Sequence, residues 1–105
     1  MTINTLNTTP EFDGWLQSVD DPIGKSAILI RIERAEAGNF GDVEPVGDAV
    51  SEMRVFVGPG YRVYYVRIGM TTYLLLWGSD KTDQKRGIKR AKEILNALMP
   101  KGKKR

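Results

Sequence analysis

Near residue 40 the hydrophobic pattern changes period, from about 3.6 residues to about 2, and nothing else in the chain constrains the fold as tightly. Upstream, Phe12, Trp15, Leu16 and Val19 recur at helical spacing, as do Ile23, Ala27, Ile30 and Arg34. Ile28, Ile32 and Ala35 mark another stripe on this second helix, so it is expected to be apolar over much of its circumference. Downstream, residues 50–57, 61–68 and 71–77 alternate as strands do, separated by Gly58-Pro59-Gly60 and Gly69-Met70. Helices first and then strands joined by short turns predict an α+β domain.

Local punctuation agrees. Thr9-Pro10-Glu11 offers a hydroxyl N-cap, a proline at the first helical position and an acid facing the helix dipole. Asp20-Asp21-Pro22 repeats the signal, and Gly38-Asn39 is a natural stop. The two segments read as an N-terminal helical hairpin. Residues 2–6 suggest a short first strand, and 43–46 an extended piece interrupted by Pro45. Leu74-Leu75-Leu76 suits a central strand covered on both faces. Residues 79–82 are expected to cap a final helix with an apolar stripe of Ile88, Ala91, Leu95, Leu98 and Met99, ended by Pro100. The expected architecture is a helical hairpin packed on a small, mainly antiparallel meander sheet, with a C-terminal helix. Residues 1–100 form one domain in this reading, and 101–105 a disordered basic tail.

The 105 residues include no Cys and no His. That excludes disulfides, thiolate or imidazole metal sites, and triads built on Cys or His. No cofactor or metal is implied. At 41% hydrophobic and 28% charged the composition is that of a folded globular chain. The formal charge of +3 hides a split. Residues 1–80 carry six basic and eleven acidic side chains, whereas 81–105 carry ten and two. A field so uneven points to a polyanionic partner, nucleic acid above all, although a solvated helix face with a lysine-rich tail is the plainer alternative. No signal peptide is expected, and no apolar run approaches the ~20 residues of a membrane helix, so the expected compartment is the cytoplasm.

Strand alternation puts Met53, Val55 and Val57 on one face, the expected core, and Glu52, Arg54 and Phe56 on the other. A hairpin then sets Arg54 beside Arg62, with Tyr64 nearby and Lys81 at the entry to the final helix. Two guanidiniums, an ammonium and a phenol on an open sheet face would suit a phosphodiester. On the final helix, Lys85, Arg86, Lys89 and Arg90 are candidate RNA contacts. The alternative is that the strand arginines are surface charges paired with Glu52 or Glu44. RNA cleavage fits a chain without Cys or His, because the 2′-hydroxyl of the RNA is the nucleophile and the protein need only orient, neutralise and move protons. Tyr64 or Lys81 would need a lowered pKa to act as base, and Glu52 is a base needing less tuning, although pairing with Arg54 would oppose it.

Five pieces then match in order: Phe12-x-x-Trp15-Leu16; Gly38-Asn39-Phe40-Gly41-Asp42-Val43; Val46-Gly47-Asp48-Ala49-Val50-Ser51-Glu52-Met53-Arg54; Gly58-Pro59-Gly60-Tyr61-Arg62-Val63-Tyr64; and Leu74-Leu75-Leu76-Trp77-Gly78-Ser79-Asp80-Lys81-x-x-Gln84. Over residues 8–98 the chain resembles the RelE/ParE superfamily of bacterial toxins, within it the HigB-like addiction module killer branch. The resemblance implies the toxin of a type II toxin–antitoxin pair, held inactive by a helix-turn-helix antitoxin through which alone it meets operator DNA. It implies metal-independent cleavage of messenger RNA on the ribosome, inhibiting translation, with Arg54, Arg62 and Lys81 around the scissile phosphate. Relatives that cleave with a Tyr or His near the final helix differ here, where the chain reads Gln84-Lys85-Arg86-Gly87-Ile88. ParE relatives poison gyrase instead, and a degenerate toxin serving only as antitoxin-bound co-regulator is a third possibility.

Overall fold

The computed structural model describes residues 2–100. Thr9 begins the first helix, α1 (Pro10–Ser18): its hydroxyl accepts the Phe12 N–H at 2.9 Å and donates to the Leu76 carbonyl at 2.8 Å, fastening the helix start to the sheet. Asp21 does the same for α2 (Pro22–Glu36), accepting the Gly24 N–H at 3.1 Å and the Tyr61 hydroxyl at 2.7 Å. Both proline-marked helix starts are as the sequence predicts. Gly38, at φ +99°, turns the chain out of α2, and the Asn39 N–H closes back on the Arg34 carbonyl at 2.8 Å.

Five strands form one mixed sheet: β1 (Thr5–Thr8), β2 (Val43–Gly47), β3 (Val50–Val55), β4 (Tyr61–Arg67) and β5 (Thr72–Asp80), in the order β1-β5-β4-β3-β2. The last four make an antiparallel meander, and β1 lies parallel to β5. A 3-10 turn, Lys81–Asp83, leads into α3 (Gln84–Leu98). The fold is α+β with a C-terminal helix.

The sheet is covered on both faces, which corrects the expected open one. Met53, Val55, Val63 and Leu75 pack with Phe12 of α1 and Ile28 and Ala35 of α2. Val50, Tyr64, Val66 and Leu76 pack with Ala91, Ile94 and Leu95 of α3. Alternation along each strand feeds both cores, and the Leu74-Leu75-Leu76 run behaves as expected, with Leu75 in one core and Leu76 in the other. Burying each such leucine contributes about 1.5–3 kcal/mol.

Several boundaries differ from expectation. The first strand begins at Thr5 because the amides of Ile3 and Asn4 donate to the Glu36 carbonyl at the end of α2. Ser79 and Asp80 extend β5, in register with Arg62 and Tyr61; Asp80 alone caps the following turn, accepting the Asp83 N–H at 3.0 Å. β3 stops at Val55, where the Val57 N–H folds back onto the Val55 carbonyl at 3.1 Å. α2 buries only Gly24, Ile28 and Ala35, and leaves Ile23, Leu29 and Ile30 in solvent, because a helix on a sheet has one covered side. Leu98 is likewise exposed, and α3 buries Gly87, Ala91, Ile94 and Leu95. The expected tail at 101–105 lies outside the described residues. No helix among the described residues is long and apolar enough to cross a membrane.

Candidate functional site

Arg54 and Arg62 face each other across the β3–β4 ladder, as the hairpin predicts. Their surroundings then diverge. Arg54 gives both arms of its fork to carboxylates, Asp42 at 2.8 Å and Glu44 at 3.0 Å. The Asp42 hydrogen bond holds its guanidinium pKa above the ordinary value. Arg31 of α2 fixes this corner by donating to the Arg54 carbonyl and, at 2.8 Å, to the Phe40 carbonyl.

Arg62 is 5% exposed and has no such partners. Its Nε lies 3.9 Å from the Glu52 carboxylate, an ion pair without a hydrogen bond, and neither Nε nor Nη1 has an acceptor. A buried donor left unmet costs about 1–3 kcal/mol, and more when charged. Glu52, 2% exposed, is held by Gln84, whose Nε2 donates to both carboxylate oxygens at 2.9 and 3.0 Å. The alternative that the strand arginines pair with Glu52 or Glu44 is met in its pairing, Arg54 with Glu44 as well as Asp42 and Arg62 with Glu52, although Arg62 is buried. A direct Glu52–Arg54 ion pair does not form, and Gln84 holds Glu52.

The mouth over Arg62 is built by the turn after β3. Gly60 sits at φ +81°, open to glycine and strained for other residues. A Cβ there would be 3.5 Å from Cβ of Lys81 and 3.9 Å from Nη1 of Arg62, so lysine and arginine flank one point. The Lys81 N–H anchors that arrangement by donating to the Gly60 carbonyl at 2.7 Å. Phe56 forms the other rim: its ring lies 5.9 Å from the Arg62 guanidinium carbon and is 71% exposed.

Tyr64 shares the sheet face but not the mouth. It has no exposed surface, and its hydroxyl is bonded to Ser79 Oγ at 2.8 Å and to the Gln84 carbonyl at 3.4 Å. α3 crosses directly above at Gly87, where a Cβ would come within 2.7 Å of the Tyr64 hydroxyl and of Ser79 Oγ. Burial is the main cause that pushes its pKa up to about 12; the Ser79 hydrogen bond and Arg62 oppose it. The phenol expected on an accessible face is instead a strut beneath the first residue of α3.

Lys85, Arg86, Lys89 and Arg90 all stand exposed along α3. Arg86 is bonded to Asp83 at 2.6 Å, and Arg90 leans over the Trp77 ring at 5.8 Å. A separate recess of about 240 Å³ beside Trp15, Asp20, Asp21 and Asp80 is acidic, which suits an anion poorly.

The sequence assigns no role to Gln84 or Phe56, and marks Ser79 only as part of a helix cap. Gln84 closes the last of the five matching pieces, Lys81-x-x-Gln84, the one signal that it matters; its partner Glu52 is 32 residues away. Strand alternation places Phe56 on the face of Glu52 and Arg54 and says nothing of what it does there.

These parts are a sheet between two helical layers, in an α+β chain with a partly unmet buried arginine on the sheet. No model of a known protein family matches it. The chain is 41% identical over 98 residues to a protein of Haemophilus influenzae described as uncharacterized, covering 93% of this chain and 98% of that one. The chain belongs to the family of that protein.

Proposed function

We propose that this protein is the toxin of a type II toxin–antitoxin pair, a RelE/ParE-like, HigB-like endoribonuclease that cuts messenger RNA on the ribosome. The observation that carries the proposal is Arg62, a buried guanidinium whose Nε and Nη1 lack acceptors, at a mouth shared with Lys81. A phosphodiester supplies the acceptors that the fold withholds. The consecutive helices α1 and α2 and the antiparallel β2–β5 strands are what the toxin resemblance leads one to expect, with α1 and α2 as its helical hairpin.

In the proposed reaction the RNA 2′-oxygen forms a bond to the adjacent phosphorus while the bond from phosphorus to the 5′-oxygen breaks. The departing 5′-oxygen takes a proton from water, so a 2′,3′-cyclic phosphate and a 5′-hydroxyl result. Arg62 holds the nonbridging oxygens and Lys81 adds charge at the mouth. Glu52, beside Arg62, takes the 2′-proton once Gln84 releases one of its oxygens. Arg54 contributes charge only as Asp42 and Glu44 release it. Tyr64 acts through position, supporting the start of α3 and hence Gln84. The basic face of α3 tracks the RNA or ribosome, and a helix-turn-helix antitoxin is the expected inhibitor.

A non-nucleolytic, ParE-like toxin is the second reading, favoured by the full burial of Tyr64, the phenol that shares a sheet face with Arg62, and by the capture of both Glu52 oxygens by Gln84. Induction without antitoxin separates the two. New 5′ ends within translated codons during growth arrest support cleavage; intact transcripts with gyrase inhibition support the second reading. An inert chain that still binds antitoxin would indicate a degenerate co-regulator.

A further inference from the structure

Phe56 is unusual among the exposed apolar side chains of the described residues. Ile23 and Met70 are exposed to a similar degree, but only Phe56 has its ring against a buried, partly unmet cation. The ring follows directly on the end of β3, on the same side of the sheet as Arg62, and the loop returns through Gly60 to the Lys81 backbone. One flank of the mouth therefore demands an anion, and the other offers a flat apolar surface to solvent.

Single-stranded nucleic acid alternates those two chemistries, a phosphate and then a π-face, along one chain. We infer that Phe56 is a stacking platform for the nucleobase next to the phosphate held by Arg62, and so selects an unstacked base at the bound position. Arg62 is held by burial with its guanidinium carbon 5.9 Å from the ring centroid, so phosphate and base would be bound side by side, each by its own group. The face of the ring carries no hydrogen-bond code, so the platform favours bases by stacking strength, purines over pyrimidines. This rests on the proposed phosphodiester site.

The test uses the full-length chain, at low salt, with a 2′-O-methyl trinucleotide that resists cleavage and a matched trinucleotide lacking its central base. Binding is read by fluorescence anisotropy, with circular dichroism confirming the fold of each variant. Phe56→Ala and Phe56→Leu are expected to weaken binding of the complete trinucleotide roughly tenfold and leave the abasic one unchanged, while Phe56→Trp restores it. Leucine keeps apolar bulk without a π-face, so full binding by Phe56→Leu overturns stacking. Equal losses on both ligands also overturn it, as does no binding by the wild-type chain. Unchanged trinucleotide binding by a Phe56→Ala protein that has lost toxicity would assign the ring to a protein partner instead, and overturns the proposal. Arg62→Ala is expected to weaken both ligands. If it weakens neither while Phe56→Ala still acts, the phosphate site has failed and the base contact stands.

Discussion

Tyr64 carries the clearest electrostatic consequence at the scale of single residues. Its pKa in the fold is pushed up to about 12 by burial, and Tyr61 is pushed to about 12 by burial and by Asp21. An unfolded tyrosine titrates near about 10, so the unfolded chain loses those protons first as pH rises. Stability from these groups is full below about pH 10 and falls as pH climbs toward 12. Thermal melts across that window should show the fall, softened in Tyr64→Phe; an identical fall in the variant would contradict the assignment. The same burial makes Tyr64 a poor general base at neutral pH, so Tyr64→Phe is expected to retain toxicity. Sequence gave the Arg54–Arg62 adjacency, because a hairpin turn fixes register locally. It could not give the capture of Glu52, the carboxylate beside Arg62, by Gln84, which lies 32 residues further along the chain.

Turns and close approaches set the stability of the elements. In the β2–β3 turn, Asp48 and Ala49 adopt φ of +55° and +67°, where side-chain-bearing residues are strained. Ala49→Gly should raise stability by about 0.5 kcal/mol, the relief of strain less the added chain entropy of glycine, read as a higher urea midpoint. Gly78 of β5 lies against the Trp15 indole so closely that a Cβ would strike the ring. Gly78→Ala is expected to cost about 1–3 kcal/mol, because both groups sit in a packed layer. A midpoint equal to wild type would mean that α1 can shift on the sheet. Element types were legible from period and capping, since Thr9-Pro10 and Asp21-Pro22 act on their own helices. The parallel pairing of β1 with β5 and the extension of β5 through Asp80 were not, because each is decided by a strand distant in sequence.

The whole molecule is electrically divided, with −5 over residues 1–80 and +8 over 81–105 from six and ten basic against eleven and two acidic side chains. The described part of that basic quarter is α3 with its entry turn, whose Lys85 and Lys89 are exposed. If α3 follows a single strand, Lys85→Ala with Lys89→Ala should reduce the log–log salt slope of RNA binding by roughly 1.4, with little effect on base preference. An unchanged slope would place those lysines away from the RNA. Charge division was readable directly from the sequence, but its relation to the mouth was not. Lys81 stands where the acidic body meets the basic helix, and only the fold joins it through Gly60 to Arg62.

The most direct measurement is cleavage of end-labelled messenger RNA on programmed ribosomes by the purified full-length protein. The expected result is a cut yielding a 2′,3′-cyclic phosphate, abolished by one 2′-deoxy substitution at the cut and slowed about a hundredfold by a folded Arg62→Ala protein, the loss of about 3 kcal/mol of transition-state stabilisation. Intact messenger RNA with the folded wild-type protein, or full cleavage by Arg62→Ala, would contradict the proposed role of Arg62 in an RNA-cutting toxin.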